Sequence, residues 1–387
     1  MKKFKIVVLP GDGIGPEVMA EALKVLRVFE ACSNSINFEF LKYDCGGQYY
    51  LKTGKKEEWP KEVFDICKNE ADAILLGAIG WTDPKTGNTV SYPSGKMVGI
   101  DILFGLRFGL DLYANIRPTK LFEGVPHKIS GKFRYDIWEP KNVNFVSIRE
   151  NTEGLYADTH GALNRGGQIE LATDVRLITR KGAERIIKFA FNYCKRRNMG
   201  SPKDGKLRVT CVDKSNVLSG CKLFRQVYQE IAPQYPEIAM DYAFIDAFTQ
   251  WIVRTPEWFD VCVIPNMFGD IATDLAAILQ GSLGMAASGN VGDTHAMFEP
   301  IHGSAPKYTG KNKINPIATI LAGSMMLDWL SMKNNNNAEL KNGADLIELA
   351  IQETLKDGKI RTYDLGGSSS TSDVGDAISA KLKELLK

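Results

Sequence analysis

Short apolar runs that end in glycine, proline or asparagine alternate along the chain with stretches whose apolar positions recur every three or four residues. The runs at 5–9, 38–43, 73–76, 207–212, 243–245 and 261–264 predict strands, and 144–156 predicts a strand leading into a polar turn. Val18, Ala22, Val25 and Phe29 predict an amphipathic helix, with Pro16 suited to its first turn. Further helices are predicted around 61–69, 181–197, 317–330 and 374–386. The segments 81–98 and 298–316 are rich in Gly, Pro and polar residues and predict loops. The segment 160–171 carries NRGG between runs of mixed polarity and predicts a hairpin able to exchange with a second subunit.

Composition narrows the class of partner. A length of 387 residues predicts two domains. A formal net charge of +2 gives no reason to expect nucleic acid. The apolar run after the first lysines stops at Leu9, too short for a membrane span or a signal sequence. Seven cysteines without metal-binding spacing suit reduced thiols, so the expected location is cytoplasmic.

The sharpest chemistry lies in 260–284, DVCVIPNMFGDIATDLAAILQGSLG. A strand ends at Pro265 and Asn266, and Ile271, Leu275, Ile278 and Leu279 then recur at helical spacing. Asp270 and Asp274 therefore share one helix face. Like charges at that spacing weaken a helix unless a cation lies between them. A hard divalent ion is one such cation, and two solvated surface acids are the alternative.

Other residues invite similar pairs of readings. The turn PGDGIGPE at 10–17 is open to an anion at the helix N-terminus, or is a tight turn using Gly11, Gly13 and Gly15 for backbone freedom. It matches neither the Rossmann nor the P-loop pattern. Arg107 and Arg117 together suit a substrate with more than one carboxylate, whereas either alone reads as a surface arginine. Arg149 stands at a predicted strand end with Tyr156 beyond it, a phenol able to transfer a proton or a half-buried aromatic. Lys214 follows another strand end, as a base if it is desolvated or as an exposed lysine, and Asp246 is a third strand-end acid. Lys307 and Tyr308 set a cation beside a phenol in a loop suited to close approach of a cofactor.

In order along the chain, GDGIGPE, LR followed by ANIRP, RENTEGLY, VDKSNV, NMFGDIATDLAAILQGSLG and HGSAP resemble the β-decarboxylating dehydrogenases, the isocitrate, isopropylmalate and tartrate dehydrogenase family. The resemblance covers nearly the whole chain. It implies an α/β fold with a sheet of mixed strand direction, not a Rossmann fold. It implies a cofactor-binding first domain made of 1–112 and 280–387, and a second domain, 113–279, bearing the dimer interface, the arm and the metal site. The active site would lie between the domains and be completed by a partner subunit, making a homodimer or a larger assembly.

The family pattern gives substrate carboxylates to Arg107, Arg117 and Arg149, and the substrate side group to Leu103 and Phe104. It gives Mg²⁺ or Mn²⁺ to Asp270 and Asp274 with the partner subunit's Asp246. The partner subunit's Lys214 is the implied base and Tyr156 the acid. The cofactor falls to His302, Gly303, Ser304, Ala305, Lys307, Tyr308 and Asn315. The implied reaction is oxidative decarboxylation of a 2-hydroxy diacid with NAD⁺ or NADP⁺. A non-catalytic regulatory subunit on the same fold is the alternative of another class, and the intact Tyr156, Lys214 and aspartates weigh against it.

Asp101 and Leu103 replace the serine and asparagine that isocitrate enzymes carry before the first arginine. An apolar wall leaves a third carboxylate without a partner. Ile100 replaces a glutamate of the isopropylmalate enzymes, and RENTEG and AGSMMLDWL resemble D-malate and tartrate enzymes. The expected substrate is 3-isopropylmalate, ahead of D-malate or tartrate and then isocitrate or homoisocitrate. Lys307 stands where NAD-dependent members place an aspartate; with Tyr308 and Tyr363 it resembles the NADP-dependent pattern, while the arginine expected four residues after Tyr363 is Gly367. A lysine pairs with a 2′-phosphate but cannot accept from a hydroxyl, so the expectation leans to NADP⁺.

Overall fold

A computed structural model describes residues 2–83 and 85–387. The strands are β1 (Lys2–Leu9), β2 (Ile36–Lys42), β3 (Ala73–Leu76), β4 (Ala114–Lys120), β5 (Asn144–Glu150), β6 (His160–Arg165), β7 (Gln168–Asp174), β8 (Arg208–Asp213), β9 (Ala239–Phe244), β10 (Val261–Ile264), β11 (Ala287–Val291) and β12 (Ala296–Pro300). The chain divides into two compact units. One holds Met1–Leu112, Leu121–Ile137 and Gln280–Lys387, the other Tyr113–Lys120 and Trp138–Leu279.

In the first unit the strand order is β2-β1-β3-β12-β11. β1 runs parallel to β2 and β3, β12 is parallel to β3, and β11 is antiparallel to β12, so the sheet is mixed. Ile6, Val7, Val8 and Leu9 are all buried, because both faces of β1 are covered. Val7 and Leu9, with Ile74 and Leu76, pack against Ile102 and Leu106 of the helix Ile100–Gly109. The helices Gly15–Cys32, Ile317–Lys333, Ala338–Lys356 and Thr371–Leu385 pack among themselves, and Ile317–Lys333 also lies on β12.

The GDGIG turn proves to be the tight turn. A Cβ on Gly11 would lie 2.1 Å from the Ala78 carbonyl oxygen, and one on Gly13 would lie 2.1 Å from that of Ser304. The buried Asp12 carboxylate accepts the backbone N–H groups of Gly47 and Gly80 at 2.9 Å and of Gln48 at 2.8 Å. Its burial pushes the carboxyl upward, against those three donors. The turn thus brings its own anion and fastens the loop around Ser304 to β1.

Residues 121–137 pack with the first unit, whereas the sequence reading leaves them in the middle domain. Phe122 and Val125 are buried, Glu123 pairs with Lys356 at 2.9 Å, and Gly124, at φ 81, lies against the Leu355 carbonyl.

In the second unit the order is β4-β5-β10-β8-β9, with β4 antiparallel to β5 and the remaining pairs parallel. β6 and β7 form the expected hairpin, turned by Gly166 and Gly167 at φ 58 and 78. It is exposed throughout, with Ile169 at 68% and Leu171 at 54%. Among the described residues all seven cysteines are free, and no helix is long and apolar enough to cross a membrane.

Candidate active site

In the second unit, β4 and β5 pair Asn115 with Arg149 and Arg117 with Ser147. Arg117 and Arg149 therefore emerge from the same face as diagonal neighbours. The helix Asn266–Ala277, which follows β10 through Pro265, packs over both strands.

Asp270 is the junction. Its Oδ1 accepts from Arg149 Nη1 at 2.5 Å and from Arg117 Nη2 at 3.3 Å, and its Oδ2 accepts from the Tyr156 hydroxyl at 3.1 Å. Asp274 Oδ1 lies 3.6 Å from Arg117 Nη1. The positive charge between the two acids is thus the Arg117 guanidinium. Asp270 is partly buried and engaged through both oxygens, whereas Asp274 is exposed, with 62% of its side chain open to solvent.

The same helix holds both arginines in place. Asn266 Oδ1 accepts from Arg149 Nε at 3.1 Å and Nη2 at 2.7 Å, while Thr273 Oγ1 accepts from Arg117 Nη1 at 2.6 Å. Gly269 leaves room for the Arg149 stem, since a Cβ there would stand 2.7 Å from Arg149 Cγ. Asn266, Gly269 and Thr273 escape the sequence reading although they share a helix face with Asp270. That spacing was the available signal.

Tyr156 is set by a polar turn. Buried Glu150 accepts from Thr152 N and Oγ1 at 2.9 Å and from Glu153 N at 2.7 Å. The Arg149 guanidinium lies 5.7 Å from the Tyr156 ring centre. Burial, and then the Asp270 charge, hold the phenol's pKa above the ordinary range, with Arg149 and Arg117 pulling the other way.

Lys214, just past β8, pairs with Asp246 at 2.5 Å, and this bond lowers the Asp246 carboxyl. Asp246 is not at a strand end: β9 stops at Phe244, and Asp246 sits in the first turn of the helix Ile245–Arg254. Among the described residues no three His, Cys, Asp or Glu side chains come together as a metal group, so Asp246 does not join Asp270 and Asp274 within one chain.

In the first unit, Leu103 and Phe104 are partly buried on the helix Ile100–Gly109. Arg107, on the same helix, is no surface arginine: it is 5% exposed, and its Nη2 donates to Glu299 Oε1 at 3.0 Å. Glu299 also accepts from Asn290 Nδ2 at 2.8 Å. The sequence reading misses Glu299 because it places this residue in a loop, whereas β12 extends to Pro300.

Beyond β12 the chain is open. His302 keeps a buried Nε2 without a partner, and burial lowers its pKa. Gly303 is exposed, Ser304 is buried with its hydroxyl on the Gly80 carbonyl, and Ala305 takes a left-handed φ of 39. Lys307 is exposed. The Tyr308 ring stacks on Tyr363 at 5.6 Å and 16°. Burial and the contact with Tyr308 push the Tyr363 phenol up to about 12. Asn315 is buried, accepting from Ile317 N at 3.0 Å and donating to Asp364 at 3.2 Å.

The sequence model of the family described as isocitrate/isopropylmalate dehydrogenase matches residues 5–378. A 3-isopropylmalate dehydrogenase of Clavibacter sepedonicus is 38% identical over 381 residues, 97% of each chain. A homoisocitrate dehydrogenase of Methanocaldococcus jannaschii is 40% identical over 385 residues, 99% of each chain. The crystal structure of isocitrate dehydrogenase from Methylococcus capsulatus superposes with a TM-score of 0.80 at 34% identity, covering 98% of this chain and 99% of that one. The apo β-decarboxylating dehydrogenase of Thermococcus kodakarensis superposes with a TM-score of 0.74 at 35% identity, covering 99% and 97%.

Proposed function

The chain belongs to the isocitrate/isopropylmalate dehydrogenase family of oxidative decarboxylating dehydrogenases, and from that premise we propose that it is a 3-isopropylmalate dehydrogenase using Mg²⁺ or Mn²⁺ and NADP⁺. The observation that carries the reading is the convergence of Arg117, Arg149 and Tyr156 on Asp270, one helical turn from Asp274. Relatives named 3-isopropylmalate dehydrogenase, at 37–39% identity, support the substrate, as does the apolar pair Leu103 and Phe104. Homoisocitrate is the second reading, favoured by the 40% identical relative.

The residues present fit these groups. Mg²⁺ is commonly held by one or two carboxylates, with substrate oxygens and water completing the octahedron. Asp270 and Asp274 supply two, and the partner subunit's Asp246 would add a third. When bound, the cation supplies positive charge beside the 2-hydroxyl, and the nicotinamide supplies the hydride acceptor.

The protein's own part is to bind, orient and move protons. Arg107, Arg117 and Arg149 hold the substrate carboxylates through guanidinium forks. The partner subunit's Lys214 takes the hydroxyl proton. Tyr156, kept protonated by its surroundings, gives its proton to the carbon that loses carbon dioxide. Lys307, Tyr308 and Tyr363 present a cation and two phenols to the 2′-phosphate of NADP⁺.

The test is a panel of 2-hydroxy diacids with purified chain, Mn²⁺ and either dinucleotide, read at the reduced nicotinamide band. The highest kcat/KM is expected for 3-isopropylmalate with NADP⁺. A higher value for homoisocitrate would transfer the assignment to that substrate, and absence of turnover on every member would favour the regulatory-subunit reading.

A further inference from the structure

Arg134 lies in the 121–137 segment of the first unit, between exposed Phe133 and Tyr135, yet is itself half-buried. Its side chain runs along Gly366, where a Cβ would come within 2.7 Å of both its Cδ and its Nε. Its Nη2 donates to the Tyr363 carbonyl at 3.4 Å, while its Nη1 is buried and has no partner. A guanidinium nitrogen withdrawn from water without an acceptor is costly, and such groups in native proteins mark the place of an ion or a water.

The surroundings say which ion. Tyr363 stacks on Tyr308, and Lys311 Nζ lies 5.7 Å from the Tyr308 ring centre. Exposed Lys307 precedes Tyr308 in the chain. Asp364, the nearby acid, is engaged by Asn315 and by the Thr362 hydroxyl. Arg134 and Lys311 thus adjoin the stacked Tyr363 and Tyr308, with exposed Lys307 next to Tyr308 in the chain, a donor set for a dianionic phosphomonoester. Position 367 cannot provide the guanidinium, because a Cβ there would lie 2.1 Å from the Arg361 carbonyl oxygen.

We infer that Arg134 is the arginine of this phosphate site and selects the 2′-phosphate of NADP⁺ over the free 2′-hydroxyl of NAD⁺. The inference rests on the NADP⁺ reading above. It gives this chain a specificity residue supplied from the 121–137 segment rather than from position 367.

Calorimetric binding of 2′,5′-ADP and 5′-AMP to the full chain tests it without turnover, since the two ligands differ only in the 2′-phosphate. Wild type should bind 2′,5′-ADP the more tightly. Arg134→Ala and Arg134→Gln should each lose about tenfold or more in affinity for 2′,5′-ADP and keep their affinity for 5′-AMP, with Arg134→Lys recovering part. Undiminished 2′,5′-ADP binding in Arg134→Gln, together with a loss in Lys307→Ala, would overturn the Arg134 assignment and leave the NADP⁺ reading standing. Equal binding of NADP⁺ and NAD⁺ by wild type would overturn both.

Discussion

The Tyr156 hydroxyl donates to Asp270 Oδ2 at 3.1 Å. The proposed proton donor is thus tied to a proposed metal ligand, and the two charge states are linked. A negative neighbour disfavours tyrosinate, so Asp270 adds to the effect of burial in holding Tyr156 above its ordinary value of 10.0. Asp270→Asn removes that charge and leaves Arg149 and Arg117 to favour the tyrosinate, so the pKa falls. Difference absorbance of tyrosinate, wild type against Tyr156→Phe and Asp270→Asn against the double variant, should show Tyr156 titrating above 10.0 in the first pair and lower in the second. An unchanged or higher value in the Asn variant would separate the two residues.

Gly269→Ala sets two effects against each other. Replacing a helical glycine by alanine gains about 1 kcal/mol of propensity. Here the new Cβ would stand 2.7 Å from Cγ and 2.9 Å from Cβ of Arg149, a buried side chain pinned by Asn266 and Asp270. Overpacking of this kind costs about 1–3 kcal/mol. The expected result is a net loss of stability in urea unfolding and a raised KM for the diacid. A stabilised variant with unchanged KM would mean that Arg149 has freedom to move.

Arg107 and Glu299 are 7% and 10% exposed at the side chain and 3.0 Å apart. Breaking a buried pair from one side strands the other charge and costs about 3–5 kcal/mol. Glu299→Ala should therefore destabilise the first unit by about that amount, while Arg107→Met with Glu299→Leu should cost less. Equal destabilisation in both variants, measured by denaturant melts, would show that the pair is not acting as a pair.

What the sequence made legible was governed by burial pattern. β3 and β10 are unbroken apolar runs and β1 ends in one, at 6–9, so all three are readable as strands. β11 (ASGNV) and β12 (AMFEP) are buried at every position, yet carry Gly, Ser, Asn, Glu and Pro, so neither alternation nor an apolar run marks them. Glu299 went unread for that reason. The helix face of Asp270 and Asp274 was visible from spacing alone. That Arg117 lies between them was not, because it depends on the antiparallel register of β4 and β5, which join residues far apart in sequence. Arg134 was invisible for a related reason: its importance comes from Gly366, more than two hundred residues onward.

The central claim is that Asp270 and Asp274 hold a divalent cation that the reaction uses. Mn²⁺ binding followed by electron paramagnetic resonance, with 3-isopropylmalate present, tests it most directly. Wild type should take up one Mn²⁺ per active site, and Asp274→Asn, with its melting temperature unchanged in metal-free buffer, should bind at least about tenfold more weakly. Equal Mn²⁺ affinity in wild type, Asp274→Asn and Asp270→Asn would contradict the account.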